Sequence, residues 1–116
     1  MRCVAERLVG DVIVLDVARR AVLGEVSTEV TDRVLERVRE GRRAFLLDLR
    51  SVSSLDSNGL GDLIGAYRAA IKHGGTLKLL HVHDRVSQPL GVMNLAKAFQ
   101  RFDDEAEALR SFEDGN

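Results

Sequence analysis

The passage from Ala44 to Ile71 admits few folds. Its first part, Ala44 to Leu49, is a short apolar run of strand length, too short for a helix. Arg50, Ser51, Ser53 and Ser54 follow as a polar, turn-forming stretch. Apolar spacing then restarts at helical period, with Leu60, Leu63, Ile64, Tyr67 and Ile71 marking one face. The passage predicts a strand, a short loop and a helix in direct succession.

Asp56, Ser57 and Asn58 stand at the loop–helix junction, and all three are residue types that cap helices. The unpaired N–H groups and the macrodipole of a helix N-terminus favour negative charge. The Ser57 hydroxyl is thus expected where a phosphate would be tolerated. A serine that only caps the helix is the simpler account, and local chemistry does not choose between the two. Gly59, Gly61 and Gly65 fall in the first turns of the same helix. Each costs about 1 kcal/mol relative to alanine, so close approach of another backbone or a partner is expected there.

Spacing excludes several enzyme motifs. A nucleophile elbow would need glycine at Leu55, and a dinucleotide fingerprint beginning at Gly59 would need glycine at Ile64. A Walker loop would need Gly-Lys-Ser/Thr, which the chain lacks.

The run Leu55, Asp56, Ser57, Asn58, Gly59, Leu60, Gly61, followed by an apolar helix, resembles the signature of STAS domains of the bacterial anti-sigma factor antagonist type. The resemblance implies that Ser57 is phosphorylated by an anti-sigma factor that doubles as a serine kinase, with Asp56 part of the same motif. It implies a partner-binding surface made of Asp56, Ser57, Asn58, Gly59, Leu60, Gly61 and the segment at Pro89. It further implies a serine phosphatase that resets the switch, no cofactor of the protein's own and no catalytic activity. The implied fold is α/β, a STAS-like single domain whose mixed four- to five-stranded sheet has about four helices covering one face. Two other roles belong to the same fold: a scaffold-type STAS protein of a stress-signalling complex, and a STAS accessory subunit of a membrane transporter. In the family the segment after the fourth strand is a helix beside the phosphorylation site. Proline costs about 3 kcal/mol in a helix interior but is tolerated in the first turn. Pro89 therefore predicts a helix that begins late, with Ser87 near its cap, or one that is kinked.

A length of 116 residues fits one domain, expected over residues 1–113 with a frayed tail at 114–116. The net charge of −1 argues against a nucleic-acid binder that neutralises phosphates. Cys3 is the sole cysteine, so no intrachain disulfide is expected, in keeping with a reducing compartment. No apolar run approaches the roughly 18 residues of a membrane span, and no signal-peptide core is evident, so a cytoplasmic protein is expected. Oligomeric state is left open between monomer and weak dimer.

Val4 to Val9 and Val12 to Val17 read as strands joined by a two-residue turn at Gly10 and Asp11. The continuous run Val12, Ile13, Val14, Leu15 implies burial on both faces. Val26, Val30, Val34 and Val38 predict an amphipathic helix ending at Gly41, with Glu29 and Arg33 as a pair along its flank. The signature helix should stop at Gly74 and Gly75, before a fourth strand from Thr76 to Val82. A short helix near Ser87 to Met93, a fifth strand within Ala98 to Phe102 and a last helix from Glu105 to Phe112 complete the chain. Ala106, Leu109 and Phe112 are expected to face inward from that last helix. Alternating strands and helices imply parallel central strands covered by helices.

Other chemistry was weighed. His81 and His83 lie two apart on an expected strand, hence on one face, with Asp84 beside them: a spacing compatible with metal. A serine hydrolase would use Ser57 as nucleophile, a histidine as base and Asp48 or Asp56 as orienter. Asp48 is better placed to shape an acidic rim near Ser57, and Asp62 suits the helix N-terminal dipole.

Overall fold

The computed structural model describes residues 4–17, 29–52, 57–83 and 99–113, with the backbone alone at Ser57 and Asn58. Cys3, Ser53, Ser54, Asp56, Asp84, the expected helix near Ser87 with Pro89, and the tail from residue 114 lie outside the described residues. Five strands run as β1 Val4–Val9, β2 Val12–Val17, β3 Ala44–Asp48, β4 Thr76–Leu80 and β5 Arg101–Phe102. Three helices are described: α1 Glu29–Arg39, α2 Ser57–Lys72 and α3 Glu105–Glu113.

The sheet order is β1-β2-β3-β4-β5. Val9 pairs with Val12, so Gly10 and Asp11 form a two-residue hairpin loop, and Gly10 at φ 60 supplies the positive φ that a type II′ turn needs. The other three pairings are parallel, as strand–helix alternation requires. The mixed sheet is the predicted one.

The two faces of the sheet divide the apolar residues by parity. Ile13, Leu15, Phe45, Leu47, Leu77 and Leu79 point to one face and pack against Val30, Val34 and Val38 of α1 and Leu63, Ala66 and Ala70 of α2. Val12, Val14, Leu46 and Leu80 point to the other and meet Ala108, Leu109 and Phe112 of α3. The described helices thus cover both faces, where the sequence led us to expect one. The reason is visible on β4: Lys78 is 1% exposed, and its ammonium donates to Ser111 Oγ at 2.8 Å while lying 4.3 Å from the Phe112 ring centre. A buried cation needs such partners, and a helix on that face provides them. The same contacts set the rotation of α3, so that Ala108 is buried and Ala106, expected inward, is exposed. Ile71 is likewise 48% exposed, while Leu60, Leu63, Ala66, Ala69 and Ala70 form the buried face of α2.

Both long helices end as their glycines predict. Gly41 (φ 97) donates to Val38 O and Arg42 to Arg37 O; Gly74 (φ 80) donates to Ile71 O and Gly75 to Ala70 O. These are paired Schellman bonds. Arg33 reaches Glu6 on β1 at 3.1 Å, and Arg37 bonds the other oxygen of the same carboxylate. α1 is thereby tied to the edge strand.

α1 and α2 cross closely at Gly65, where an added Cβ would lie 2.6 Å from Thr31 Oγ1. That hydroxyl is itself held by the Asp62 carbonyl and carboxylate at 2.9 and 2.8 Å, so it has no cheap retreat. At Gly61 the same added atom meets nothing within 4 Å. We expect Gly65→Ala to lower stability by about 1–3 kcal/mol. Gly61→Ala should be neutral or stabilise by up to about 1 kcal/mol. Urea unfolding of the two variants tests the difference; equal behaviour would contradict the close crossing.

Candidate functional site

The carboxyl ends of β2, β3 and β4 gather the polar chemistry of the described chain. The strands are apolar along their length, so charged groups collect where the strands stop, and in open α/β sheets that edge is where ligands and partners are met. Leaving β3, Asp48 Oδ1 accepts the Arg50 N–H at 3.0 Å, and Leu49 N donates to Leu80 O at 2.9 Å. Val52, 1% exposed, anchors the loop in the core and donates to Leu49 O. α2 then begins at Ser57, the predicted position, and runs 16 residues. In its first turn Gly59 is half-buried, Leu60 is buried against the core and Gly61 is exposed and open. Ser57, Asn58, Gly59, Leu60 and Gly61 thus share one helical turn, whereas Asp56 and Pro89 fall outside the described residues.

Asp62 has a role that sequence reasoning missed. Its carboxylate accepts the Val30 N–H at 3.0 Å and the Thr31 N–H at 2.9 Å, so it caps α1 from a position in α2. Two donors orphaned at one helix end are satisfied by a side chain 32 and 31 residues away. No local signal announces such a cap. Its charge serves the α1 N-terminus, rather than the dipole of its own helix.

A second group lies on the α3 side of the same edge. His81 Nδ1 is 3.0 Å from Asp48 Oδ1, and its Nε2 is 3.0 Å from an Arg50 guanidinium nitrogen. Because arginine is always a donor, Nε2 is the acceptor and the proton sits on Nδ1, pointing at Asp48. His83 Nε2 donates to the Arg50 carbonyl at 2.7 Å. β4 stops at Leu80, and His81 has φ 57, a left-handed conformation costing a non-glycine residue on the order of 1 kcal/mol. The two histidines therefore do not share a strand face, as their spacing predicted, and each is engaged by the loop after β3. Among the described residues no group of three or more potential metal ligands forms.

The hydrolase alternative meets a specific obstacle. Asp48 and His81 do pair as orienter and base would, but the nitrogen that should accept a serine proton already accepts from Arg50.

Charge continues across the sheet from this group. Asp48 stands opposite Asp16 in the β2–β3 register, Arg7 on β1 bonds Asp16 at 3.3 Å, and Arg7 also bonds Glu105 of α3 at 2.7 Å. Burial alone would raise the Asp48 carboxyl, but the Arg50 N–H and His81 bonds outweigh it and hold it below the usual carboxylate range. Asp16 moves the other way, pushed up by burial against the pull of Arg7, with Asp48 adding to the rise. Glu105 is lowered by its bond to Arg7.

At the opposite end of the strands a groove of about 520 Å³ is lined by Val9, Val12, Ala44, Thr76, Leu109 and Phe112. Gly59, Leu60 and Gly61 are not among the residues that line it. Among the described residues no helix is long and apolar enough to cross a membrane.

A helix opening on serine at the carboxyl edge of this mixed sheet, with its glycine turned outward, fits one domain type throughout. The STAS domain family matches residues 7–108, and the chain belongs to that family. An anti-sigma F factor antagonist from Paenibacillus polymyxa is 30% identical over 95 residues, spanning 78% of this chain and 81% of that protein. The solved structure of the anti-sigma factor antagonist SpoIIAA in its unphosphorylated form aligns with a TM-score of 0.72 at 16% identity, over 97% of this chain and 99% of that one. A sulfate transporter family protein from Wolinella succinogenes aligns with a TM-score of 0.72 at 24% identity, over 90% and 87%. At such identities the two structures speak for the fold alone.

Two substitutions test the polar framework. Removing the interhelical cap with Asp62→Ala should cost about 1–3 kcal/mol in urea unfolding. Asp48→Asn should cost on the order of 1 kcal/mol near neutral pH. Because Asp48 is lowered in the folded state, its charge contributes stability above the ordinary carboxylate range, and that contribution fades as pH falls through its folded value. The gap between wild type and Asp48→Asn should therefore close in acid. Asp16, being raised, has the opposite sign: Asp16→Asn should lose less than Asp48→Asn at neutral pH.

Proposed function

We propose that this protein is an anti-sigma factor antagonist that works by partner switching, and that the first turn of α2 is the switch. The observation that carries the reading is the joint placement of Ser57 at a helix N-terminus and of Gly61 on an open surface one turn later. The curated relative, itself an anti-sigma F factor antagonist, supports the role.

With Ser57 unmodified, Asp56, Ser57, Asn58, Gly59, Leu60 and Gly61 dock onto an anti-sigma factor together with the segment at Pro89, and the sigma factor is freed. That anti-sigma factor carries serine kinase activity and supplies ATP and Mg²⁺; the protein is its substrate. Phosphorylation adds about −1.5 to −2 charges to Ser57. The helix terminus accommodates the phosphate, so the fold survives. The interface does not, because an unpaired charge buried against a partner costs several kcal/mol, and a hundredfold loss of affinity needs only about 2.7 kcal/mol. A serine phosphatase restores the binding form. This chemistry belongs to the cytoplasm.

The test uses the purified cognate anti-sigma kinase. Incubation with ATP and Mg²⁺ should add one phosphoryl group, mapped by tandem mass spectrometry to Ser57 and not to Ser53 or Ser54. In calorimetric titration Ser57→Ala should bind as the unmodified protein does, and Ser57→Asp about a hundredfold more weakly. Gly61→Leu should keep its unfolding midpoint within about 1 kcal/mol yet lose affinity at least about tenfold. Tight binding by Ser57→Asp would sink the switch.

A further inference from the structure

The polar group of Asp48, His81 and Arg50 is left over once the switch has been assigned to α2. It joins the chain leaving β3 to the chain leaving β4. Arg50 lies in the loop between β3 and α2, and His81 to His83 is the start of the segment that continues towards Pro89. Within the described residues the two stretches are tied by the Leu49 to Leu80 backbone bond and by three side-chain contacts: Asp48 to His81, Arg50 to His81, and His83 to the Arg50 carbonyl.

We propose that Asp48, His81 and Arg50 form a proton-sensitive latch between the loop leading into α2 and the chain leaving β4. The latch closes only when His81 is neutral and carries its proton on Nδ1. In that form Nδ1–H donates to Asp48, and the lone pair on Nε2 receives the Arg50 guanidinium. A second proton occupies that lone pair. Nε2 then becomes a donor facing a donor, and two positive charges meet at what was a 3.0 Å contact. Arg50 is exposed and leaves for water; His81, 17% exposed at its side chain, stays with Asp48.

The surroundings favour that outcome over expulsion of His81. Facing the pair are the carboxylates of Asp48 on β3, Asp16 on β2 and Glu105 on α3, with the guanidiniums of Arg7 on β1 and Arg50 in the loop. Three acids against two bases leave room for one more positive charge. The His81 N–H is also bonded to the Phe102 carbonyl at 2.9 Å, which fixes its backbone to β5, so the exposed Arg50 side chain is the part of the contact that moves. Histidine is the side chain whose unperturbed charge change falls between about pH 5 and 8. A mild acid shift would thus detach the Arg50 side chain, while the Arg50 backbone keeps its bonds to Asp48 and His83.

The latch itself needs no partner; its effect on partner docking rests on the reading of α2 given above. The experiment is accordingly done on the free protein by NMR. Long-range proton–nitrogen spectra at about pH 8 should show His81 in the Nδ1–H form. On acidification towards about pH 5, the amide signals of Arg50, Ser51 and Val52 should shift in step with the His81 ring. His81→Gln should lose that step, and His83→Gln should keep it. Arg50→Ala, a change at an exposed side chain, should leave the His81 ring titrating while the step at Ser51 and Val52 disappears. An Nε2–H ring at the upper pH, or a loop step that persists in Arg50→Ala, overturns the latch. Either result leaves the docking reading to the Ser57 variants, which do not depend on it.

Discussion

Burial of β2, β3 and β4 on both faces is the constraint from which the remainder follows. Val12 to Leu15, Phe45 to Leu47 and Leu77 to Leu80 offer almost no polar side chain to either face. Backbone hydrogen bonding satisfies the strands along their length, and every other polar function is displaced to where they end. One end became a hairpin and two helix stops; the other took Asp16, Asp48, His81, His83 and both long-helix N-termini. Lys78 is the exception within a strand, and it shows what the exception requires: a hydroxyl and an aromatic face brought by a helix of their own.

The two long helices are not independent struts. Asp62 caps α1, Thr31 returns a bond to the Asp62 carbonyl, and Gly65 leaves the gap in which Thr31 fits. The glycine that looks expensive for α2 is thus repaid in the joint with α1. Gly61 has no such neighbour among the described residues, and the contrast between the two glycines separates a residue that the fold needs from one that the surface displays.

Much of this was legible in the residues alone. The continuous apolar run of β2, the glycine turn at Gly10 and Asp11 and the helix stops at Gly41 and Gly74 all follow from local stereochemistry, and local stereochemistry is what a sequence states directly. The start of α2 at Ser57 belongs with them. What was not legible depends on partners distant in the chain. Asp62 reads as a residue of its own helix because nothing near it mentions Val30. Ala106 and Ala108 are equal by spacing, and only the buried ammonium of Lys78 decides which faces inward. His81 and His83 look to share one strand face until the left-handed turn at His81 ends the strand.

The edge of the sheet carries one more consequence. Val4 presents its N–H and C=O away from β2, and both are taken by α1 side chains: Glu29 accepts the one and Arg33 donates to the other. Arg33 and Arg37 then crowd the next outward position at Glu6. An open strand invites a second chain to zip on beside it, which is the first step of uncontrolled stacking. Here that invitation is withdrawn along the half of β1 nearest α1, by charges that a visiting strand would have to strip away. The helix that packs beside α2 thus also guards the outer edge of the sheet.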